Sequence, residues 1–373
     1  QLMALDAVGM APTPTAFAST WANQGYELFM AGKLTEALTA FEQAVNQQPN
    51  NVNYLYEYGR LLIELDEEGY AERAVEIGDR AIQAAPNDPR GYALKAKGLV
   101  WSGDAAAAVP VALTGREIDP NFAPLHAVLA RAYTIIGRYQ QGLDFGESAV
   151  ALDPMDIDAR RAYAYSLIFV GQRDEAITQL EDAVTINPNL TTPYFELAVQ
   201  YVAKDEYELA VATYEKVLSL DPFNTKALLR LCETFSRIRE DSQAQGYCED
   251  AISIDPNYKE GHRQLGVVRY NRRNYEGSIE SFNQCLSLGT ETNPPEIQCY
   301  YLKGLAHYYI GQYDEAWSNL TQALTMTDDP GLISTITEGL RLVTVSSDVY
   351  RSQGIPTLQP TTVPPTPIGG VGG

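Results

Sequence analysis

The sequence predicts an all-α protein built from one repeated pair of helices, and three observations support this prediction. The repeat is marked by prolines at Pro49, Pro86, Pro120, Pro154, Pro188, Pro222 and Pro256. The first interval is 37 residues and the next five are 34 residues each. Apolar residues recur at three- and four-residue steps in two stretches of each interval, which is typical of two amphipathic helices. In five repeats a glycine stands between the stretches, where a left-handed residue can end the first helix. A constant period indicates one supersecondary unit copied along an axis.

Each repeat is predicted to run from a first helix through a turn to a second helix and a proline. The turn glycines are Gly32, Gly103, Gly137, Gly171 and Gly311. The Asp-Pro or Asn-Pro step ends the second helix, because the residue before a proline is pushed out of the α region. Small residues recur once in each helix, as at Gly25 and Ala37, which allows the two helices of a pair to approach closely.

Three places depart from this regular pattern. The second repeat carries three extra residues around Asp66–Gly69, in its helix–helix turn. Pro110 falls within a predicted second helix, so we expect that helix to kink or to begin late. The link from the eighth repeat to the ninth is longer than the others and holds Pro294 and Pro295.

The repeated phrase resembles the tetratricopeptide motif. The stretch Gly304–Ala316 (GLAHYYIGQYDEA), followed by Leu320 and Ala323, carries the resemblance near the end of the array. In the first repeat it is carried by Trp21, Gly25, Gly32, Ala37, Phe41, Ala44 and Pro49. The resemblance covers residues 18–330 as nine repeats. It implies a right-handed superhelical solenoid of antiparallel helix pairs.

The two ends of the chain are predicted to differ from the repeats. Residues 331–353 read as a terminal capping helix that covers the apolar face of the last repeat. Residues 354–373 form a Pro/Thr/Gly tail without a core-forming pattern. Residues 1–17 are apolar and contain a Pro-Thr stretch, so they are expected to be a docking segment or a linker. No basic residue precedes Lys33, so no secretory signal is predicted.

Composition and charge exclude several classes of function. The net charge is −21, which argues against nucleic acid and anionic membranes as partners. No run of 18 apolar residues is present that could span a bilayer. We find no phosphate-binding loop, nucleophile elbow or zinc motif, so no enzyme activity and no cofactor are expected. His126, His262 and His307 fall in separate repeats, which makes a shared metal site improbable, and no metal is expected.

The four cysteines form two locally paired sets. Cys232 and Cys248 stand at positions that, by the tetratricopeptide resemblance, face each other across one helix pair. Cys285 ends one repeat and Cys299 begins the next, so a short link brings them close. Four cysteines allow three connectivities, and this placement favours 232–248 and 285–299. The alternative is four small buried thiols in a reducing cytosol.

The resemblance also implies a concave groove lined by the first helices. The corresponding positions are Tyr26, Phe29, Tyr56, Arg60, Lys97, Trp101, Arg131, Arg161, Tyr165, Phe169, Phe195, Lys226, Arg237, Arg263, Tyr270, Tyr301, Tyr308 and Tyr309. With Arg90 included, eight cations there oppose four acids, Glu64, Asp158, Glu233 and Glu260. We therefore expect a positive groove in an acidic chain, which would attract an acidic or extended partner. The alternative is that these cations pair with acids on adjacent repeats and have no further role.

The resemblance implies a non-enzymatic protein–protein interaction scaffold. We favour self-assembly into a homopolymer, a filament or a ring, through the terminal segments and the groove. One alternative is a monomeric adaptor whose groove binds a peptide segment of a different protein. Another is the recognition module of a longer enzyme. Disulfides would favour an extracellular or cell-surface location, with the cytoplasm as the alternative.

Overall fold

The computed structural model describes residues 17–290, 296–352 and 354–356. These residues form twenty helices and no strand, so the predicted all-α fold is confirmed for them. The chain divides into two compact units, Gln1–Leu220 and Asp221–Gly373, here called unit 1 and unit 2. None of the helices in the described part of the chain is long and apolar enough to cross a membrane.

Unit 1 holds six consecutive helix pairs. These are α1 (Ala18–Met30) and α2 (Leu34–Gln47), α3 (Val52–Leu65) and α4 (Tyr70–Ala84), α5 (Pro89–Trp101) and α6 (Ala105–Ile118), α7 (Ala123–Ile135) and α8 (Tyr139–Leu152), α9 (Ile157–Phe169) and α10 (Arg173–Ile186), and α11 (Thr191–Ala203) and α12 (Tyr207–Leu220).

Unit 2 holds three pairs and two further helices. The pairs are α13 (Thr225–Arg237) and α14 (Asp241–Ile254), α15 (Lys259–Asn271) and α16 (Tyr275–Ser287), and α17 (Ile297–Tyr309) and α18 (Tyr313–Leu324). They are followed by α19 (Pro330–Ser346) and α20 (Asp348–Arg351).

The turn inside each pair needs a left-handed residue. The five predicted turn glycines have φ between 76° and 91°. In three repeats without the glycine, Asp205, Arg239 and Arg273 take the same region, with φ of 60–65°. A side chain makes that conformation unfavourable, so these three turns depend on the packing of their helices.

The small residues allow close packing of paired helices, as predicted. A Cβ atom on Gly25 would lie 2.6 Å from the Phe41 ring, and one on Gly266 would lie 2.5 Å from Phe282. Ala37 is the small residue of α2, the second helix of the first pair, and it is fully buried. Larger side chains at such positions would force the helices of a pair apart.

Two of the irregular places are resolved by the helix boundaries. The extra residues of the second repeat form the turn between α3 and α4, where Asp66 and Gly69 both have positive φ. The helix that contains Pro110 begins at Ala105, so it does not begin late. Pro294 and Pro295 lie outside the described residues.

The end of the array differs in part from its prediction. The expected single helix over residues 331–353 is two helices, because Ser347 adopts an extended conformation between α19 and α20. On α19, Ile336, Leu340 and Val343 are fully buried in one core with Leu320 of α18. The helix therefore covers the last repeat. The segments 1–16 and 357–373 lie outside the described residues.

Candidate interaction surfaces

The first helices of unit 1 bring ten predicted groove residues into one cluster, and three of its four cations pair with acids of the chain itself. The Arg161 guanidinium donates to both carboxylate oxygens of Glu196 at 2.8 and 2.9 Å, and to Glu64 at 2.9 Å. Lys97 donates to Asp158 at 2.6 Å. Arg60 lies 3.8 Å from the same carboxylate. We call these six residues the inner ion network.

Burial makes these interactions strong. The Arg161 and Glu64 side chains are only 8% and 10% exposed. Burial alone would raise the pKa of Asp158, but the charges of Lys97, Arg60 and Arg161 outweigh it and hold that pKa well below its usual range. The neighbouring Asp156 behaves oppositely, because burial and the charge of Asp158 raise its pKa.

Arg131 joins the cluster through aromatic rings. Its guanidinium lies 4.4 Å from the ring centre of Trp101 and 4.5 Å from that of Tyr165. Burial lowers the pKa of this guanidinium. Tyr165 in turn packs on the Phe169 ring at 4.9 Å. Arg131 thus uses cation–π contacts and makes no ion pair to a described residue.

The contacts connect repeats that are far apart in the sequence. Arg161 and Glu64 are separated by 97 residues. The Asn189 side chain, at the start of the sixth pair, donates to the Met30 carbonyl oxygen of α1 at 2.9 Å. A Cβ atom on Gly32 would lie 2.2 Å from the Asn189 carbonyl oxygen. Within unit 1, early repeats therefore contact late ones.

This arrangement differs from the expected positive groove. Arg60, Lys97 and Arg161 lie together in the cluster, where acids from other repeats neutralise them. They are not a row of free cations for a partner. Phe195 packs on Tyr214 of its own pair at 5.9 Å.

An open cavity of about 670 Å³, here called the pit, lies beside the inner ion network. Its apolar walls are formed by Tyr26, Phe29, Met30, Tyr56, Phe122, Leu152, Met155, Ile157 and Ile186. Its charged residues are Glu57, Arg60, Arg90, Asp153, Asp156 and Asp158. Tyr26 is 58% exposed and Met155 is 67% exposed. The pit thus combines apolar walls with charged groups of both signs, and such a combination is typical of a binding site.

The sequence prediction missed the residues that the turns contribute to the pit. Met155 directly follows a repeat proline, at a position where five other repeats have asparagine. Phe223 is the other exception and is 74% exposed. A large apolar residue in that turn was the available signal.

In unit 2 the predicted groove residues separate into a charged and an aromatic group. Arg263 lies 3.5 Å from Glu233 and 2.9 Å from Glu296, and it donates to Gln298 at 2.7 Å. Arg237 and Lys226 are exposed. Tyr301 is half-buried, and burial raises its pKa.

The aromatic group of unit 2 is a set of five tyrosines, here called the tyrosine cluster. Its members are Tyr270, Tyr275, Tyr308, Tyr309 and Tyr313. Tyr275 and Tyr309 stack at 4.8 Å, and Tyr308 meets Tyr309 edge-on at 5.4 Å. Tyr270 and Tyr313 extend the cluster at 5.6 and 6.1 Å. Tyr309 is 52% exposed. Burial, and after it the neighbouring Tyr309 hydroxyl, raise the pKa of Tyr270.

The four cysteines lie in two disulfides, Cys232–Cys248 and Cys285–Cys299. The first joins α13 to α14 within a repeat, and the second joins α16 to α17 between repeats. All four residues are fully buried. Both bonds belong to unit 2, which therefore carries covalent links that the described part of unit 1 does not.

The histidines have structural partners. His126 and His262 each bond the carbonyl oxygen of the proline six residues earlier, at 2.8 and 2.9 Å. His307 bonds Gln312, and burial lowers its pKa. No group of three potential metal ligands occurs among the described residues.

Comparisons with known proteins agree with the repeat geometry. Tetratricopeptide-repeat models match residues 28–98, 192–224 and 297–330. The TPR repeat-containing protein YpiA of Bacillus subtilis is 22% identical, over 76% of this chain and 74% of its own length. The DnaJ homolog subfamily C member 7 homolog of Dictyostelium discoideum is 24% identical over 51% of this chain. That match spans only 38% of the Dictyostelium protein's length.

Two solved structures share the fold. The Cut9-Hcn1 structure of the APC/C gives a TM-score of 0.54 at 15% identity, over 87% of this chain and 76% of the matched chain. A tetratricopeptide repeat protein from Parabacteroides merdae gives 0.50 at 17% identity, over 68% and 98%. Tetratricopeptide-repeat proteins bind protein partners. The helix pairs, their turns and the matching repeat models show that the chain is built from tetratricopeptide repeats.

Proposed function

We propose that the chain is an interaction scaffold that assembles into a homopolymer at the cell surface. In this proposal the pit of unit 1 receives the apolar N-terminal segment, residues 1–10, of a neighbouring copy. The observation that carries the proposal is the pit itself, an open cavity with apolar walls in a unit where Arg60, Lys97 and Arg161 are already paired.

The pit suits an extended apolar segment. Its volume of about 670 Å³ exceeds what one side chain needs. Met155, Leu152 and Met30 expose apolar surface at its rim. Methionine side chains adapt their shape to the surface that they contact, which favours binding of a segment with mixed apolar side chains.

The N-terminal segment has the matching chemistry. Residues 1–10 include Leu2, Met3, Leu5, Val8 and Met10, and Asp6 is their only charged residue. Copies that each carry a net charge of −21 repel one another. A contact made by a nearly uncharged segment adds little to that repulsion, whereas a contact between two acidic surfaces would increase it.

Such a contact joins two different surfaces of the same chain. Each copy presents both its segment and its pit, so the contact repeats from copy to copy and forms a filament or a closed ring. A surface location is supported by the two buried disulfides, because such bonds persist mainly in oxidising compartments.

The test is light scattering with negative-stain microscopy on four proteins. They are the full chain, a chain that lacks residues 1–16, Met155→Arg and Phe223→Arg. Phe223 occupies the same turn position in unit 2 and is similarly exposed, so it controls for the added charge. We expect polymers for the full chain and Phe223→Arg, and monomers for the other two.

A full chain that stays monomeric at every concentration would contradict the homopolymer. Binding of a synthetic peptide of residues 1–10 to the truncated chain separates the remaining cases. If this peptide does not bind, the monomeric adaptor for a different protein becomes the better hypothesis. If polymers persist in Met155→Arg, assembly does not use the pit.

A further inference from the structure

We propose that the tyrosine cluster of unit 2 binds the Pro/Thr-rich segment of its own chain, residues 356–367, as a polyproline II helix. This inference goes beyond the proposed polymer, because it involves another unit, another surface and the other end of the chain.

The tyrosine cluster has the features of a proline-binding surface. Its five rings form one connected set, with centre-to-centre distances between 4.8 and 6.1 Å. Tyr309 is half exposed at its middle, stacked on one ring and edge-on to two others. Grooves lined by aromatic rings recognise proline-rich segments through ring–proline packing and hydroxyl donors.

The segment has the chemistry that such a surface selects. Prolines stand at Pro356, Pro360, Pro364, Pro365 and Pro367, and residues 354–373 contain no charged side chain. A polyproline II helix has three residues per turn, so Pro364 and Pro367 would lie on one face. Its carbonyl groups make no internal hydrogen bonds and remain free to accept from tyrosine hydroxyls.

The described chain ends on the same core on which two members of the tyrosine cluster pack. Ile355 packs on the core that contains Ile336 and Leu340, and Tyr308 and Tyr313 pack on that same core. The Tyr308 hydroxyl also lies 3.4 Å from Ser346 near the end of α19. Residues 356–367 span about 34 Å as polyproline II, which is enough to cross five neighbouring rings.

The tether favours the chain's own segment over that of a second copy. A segment that begins beside its binding surface experiences an effective concentration in the millimolar range. A second copy in dilute solution cannot match this. The segment therefore occupies the cluster without any increase in protein concentration.

The test is hydroxyl-radical footprinting, read by mass spectrometry, of the full chain and of a chain that ends at Pro356. We expect Tyr309 to react about tenfold faster in the truncated chain, the factor that corresponds to a docking free energy of about 1.4 kcal/mol. Tyr139 of unit 1 is 43% exposed and does not line the pit, so it serves as the internal reference. Equal Tyr309 rates in the two chains would overturn the proposal.

Two full-length variants test the chemistry. Replacing Pro364, Pro365 and Pro367 by alanine should raise the Tyr309 rate towards that of the truncated chain. Replacing Thr361, Thr362 and Thr366 by alanine should leave the protection in place. Protection that survives the proline changes overturns recognition as polyproline II.

A dilution series decides the source of the segment. Protection by the chain's own segment does not depend on protein concentration. Protection that disappears on dilution would overturn the proposal in favour of a second copy. The chain that lacks residues 1–16 keeps the tyrosine cluster, so the footprinting can be repeated on it. Its outcome therefore does not depend on whether the homopolymer forms.

Discussion

Unit 1 and unit 2 share one repeat, but they are held together in different ways. In unit 1 the inner ion network connects residues up to 97 positions apart, as between Arg161 and Glu64. In unit 2 the covalent links join residues only 16 and 14 positions apart. Repeat arrays are usually stabilised by contacts between neighbouring repeats. Unit 2 follows that rule and reinforces it, whereas unit 1 adds contacts between distant repeats.

The largest expected effect is the loss of the central cation in unit 1. Arg161→Met leaves Glu64 buried without its charged partner and removes both hydrogen bonds to Glu196. Breaking a buried ion pair from one side costs about 3–5 kcal/mol. Hydrogen exchange read by mass spectrometry reports each unit separately, and we expect faster exchange throughout α3, α5 and α9.

The matched control is Arg341→Met in unit 2. Arg341 pairs with Glu338 on an exposed surface of α19, where both side chains are more than half exposed. Such a pair contributes little, so its loss should leave the exchange unchanged. Similar effects of the two substitutions would contradict the role that we assign to burial.

The second prediction concerns the covalent link between repeats in unit 2. Replacing Cys285 and Cys299 by alanine removes a bond between residues that are 14 positions apart. The expected loss is about 3 kcal/mol, because the unfolded chain regains conformational freedom. Urea unfolding measures the loss, and hydrogen exchange should assign it to unit 2.

The state of the cysteines has its own check. Alkylation of the denatured, unreduced chain followed by mass spectrometry should find no free thiol. Four modified cysteines would contradict the disulfides, and the difference between the units would then reduce to unit 1's ion network alone.

The third prediction is a dependence of unit 1 on acid. The pKa of Asp158 in the folded chain lies below the value of about 4 in the unfolded chain. Its ionised form therefore stabilises the fold above about pH 4, and that stability is lost as the pH falls towards the folded pKa. Acid titration of unit 1 exchange should show this loss, and Asp158→Asn should flatten it. An unchanged slope in the variant would assign the acid sensitivity to other groups.

The smallest effect is expected at Asp156, which caps α9. Its side chain accepts from the backbone amides of Asp158 and Ala159. Burial and the charge of Asp158 raise the pKa of Asp156, so its charge is less favourable in the folded chain than in the unfolded chain. Asn caps a helix as well as Asp, so Asp156→Asn should stabilise by under about 1 kcal/mol.

The matched control for that substitution is Asp88→Asn, which changes the cap of α5. The pKa of Asp88 is lowered, chiefly by its hydrogen bond with Arg90, so its charge is favourable. Thermal unfolding should show opposite signs for the two substitutions. The same sign for both would mean that capping, and not charge, decides the outcome.

The repeat itself could be predicted from the sequence because its causes are local. The spacing of apolar residues, the prolines and the turn glycines act within one helix pair. The left-handed turns at Asp205, Arg239 and Arg273 have no such signal, because tertiary packing holds them in that conformation. The break at Ser347 is likewise absent from the pattern of the capping segment.

The inner surface could be predicted only in part. The tetratricopeptide resemblance selects Arg60, Lys97 and Arg161 as groove positions, and the structure brings these three residues together. The sequence does not indicate that Glu64 meets Arg161, because that contact depends on small rotations accumulated over several repeats. The pit depends on the same accumulated geometry together with a turn residue, Met155, that the repeat pattern leaves unassigned.

The position of the two disulfides has a mechanical consequence for a chain that is pulled from its ends. The two disulfides close chain segments of 16 and 14 residues. Because the force does not break these bonds, the 30 residues within the segments are not stretched. Fully extended, those residues would span roughly 100 Å, which is withheld from the stretched length. The inner ion network contains no covalent bond between repeats. Unit 1 should therefore stretch to its full chain length, whereas the stretched length of unit 2 should be shorter than its full chain length.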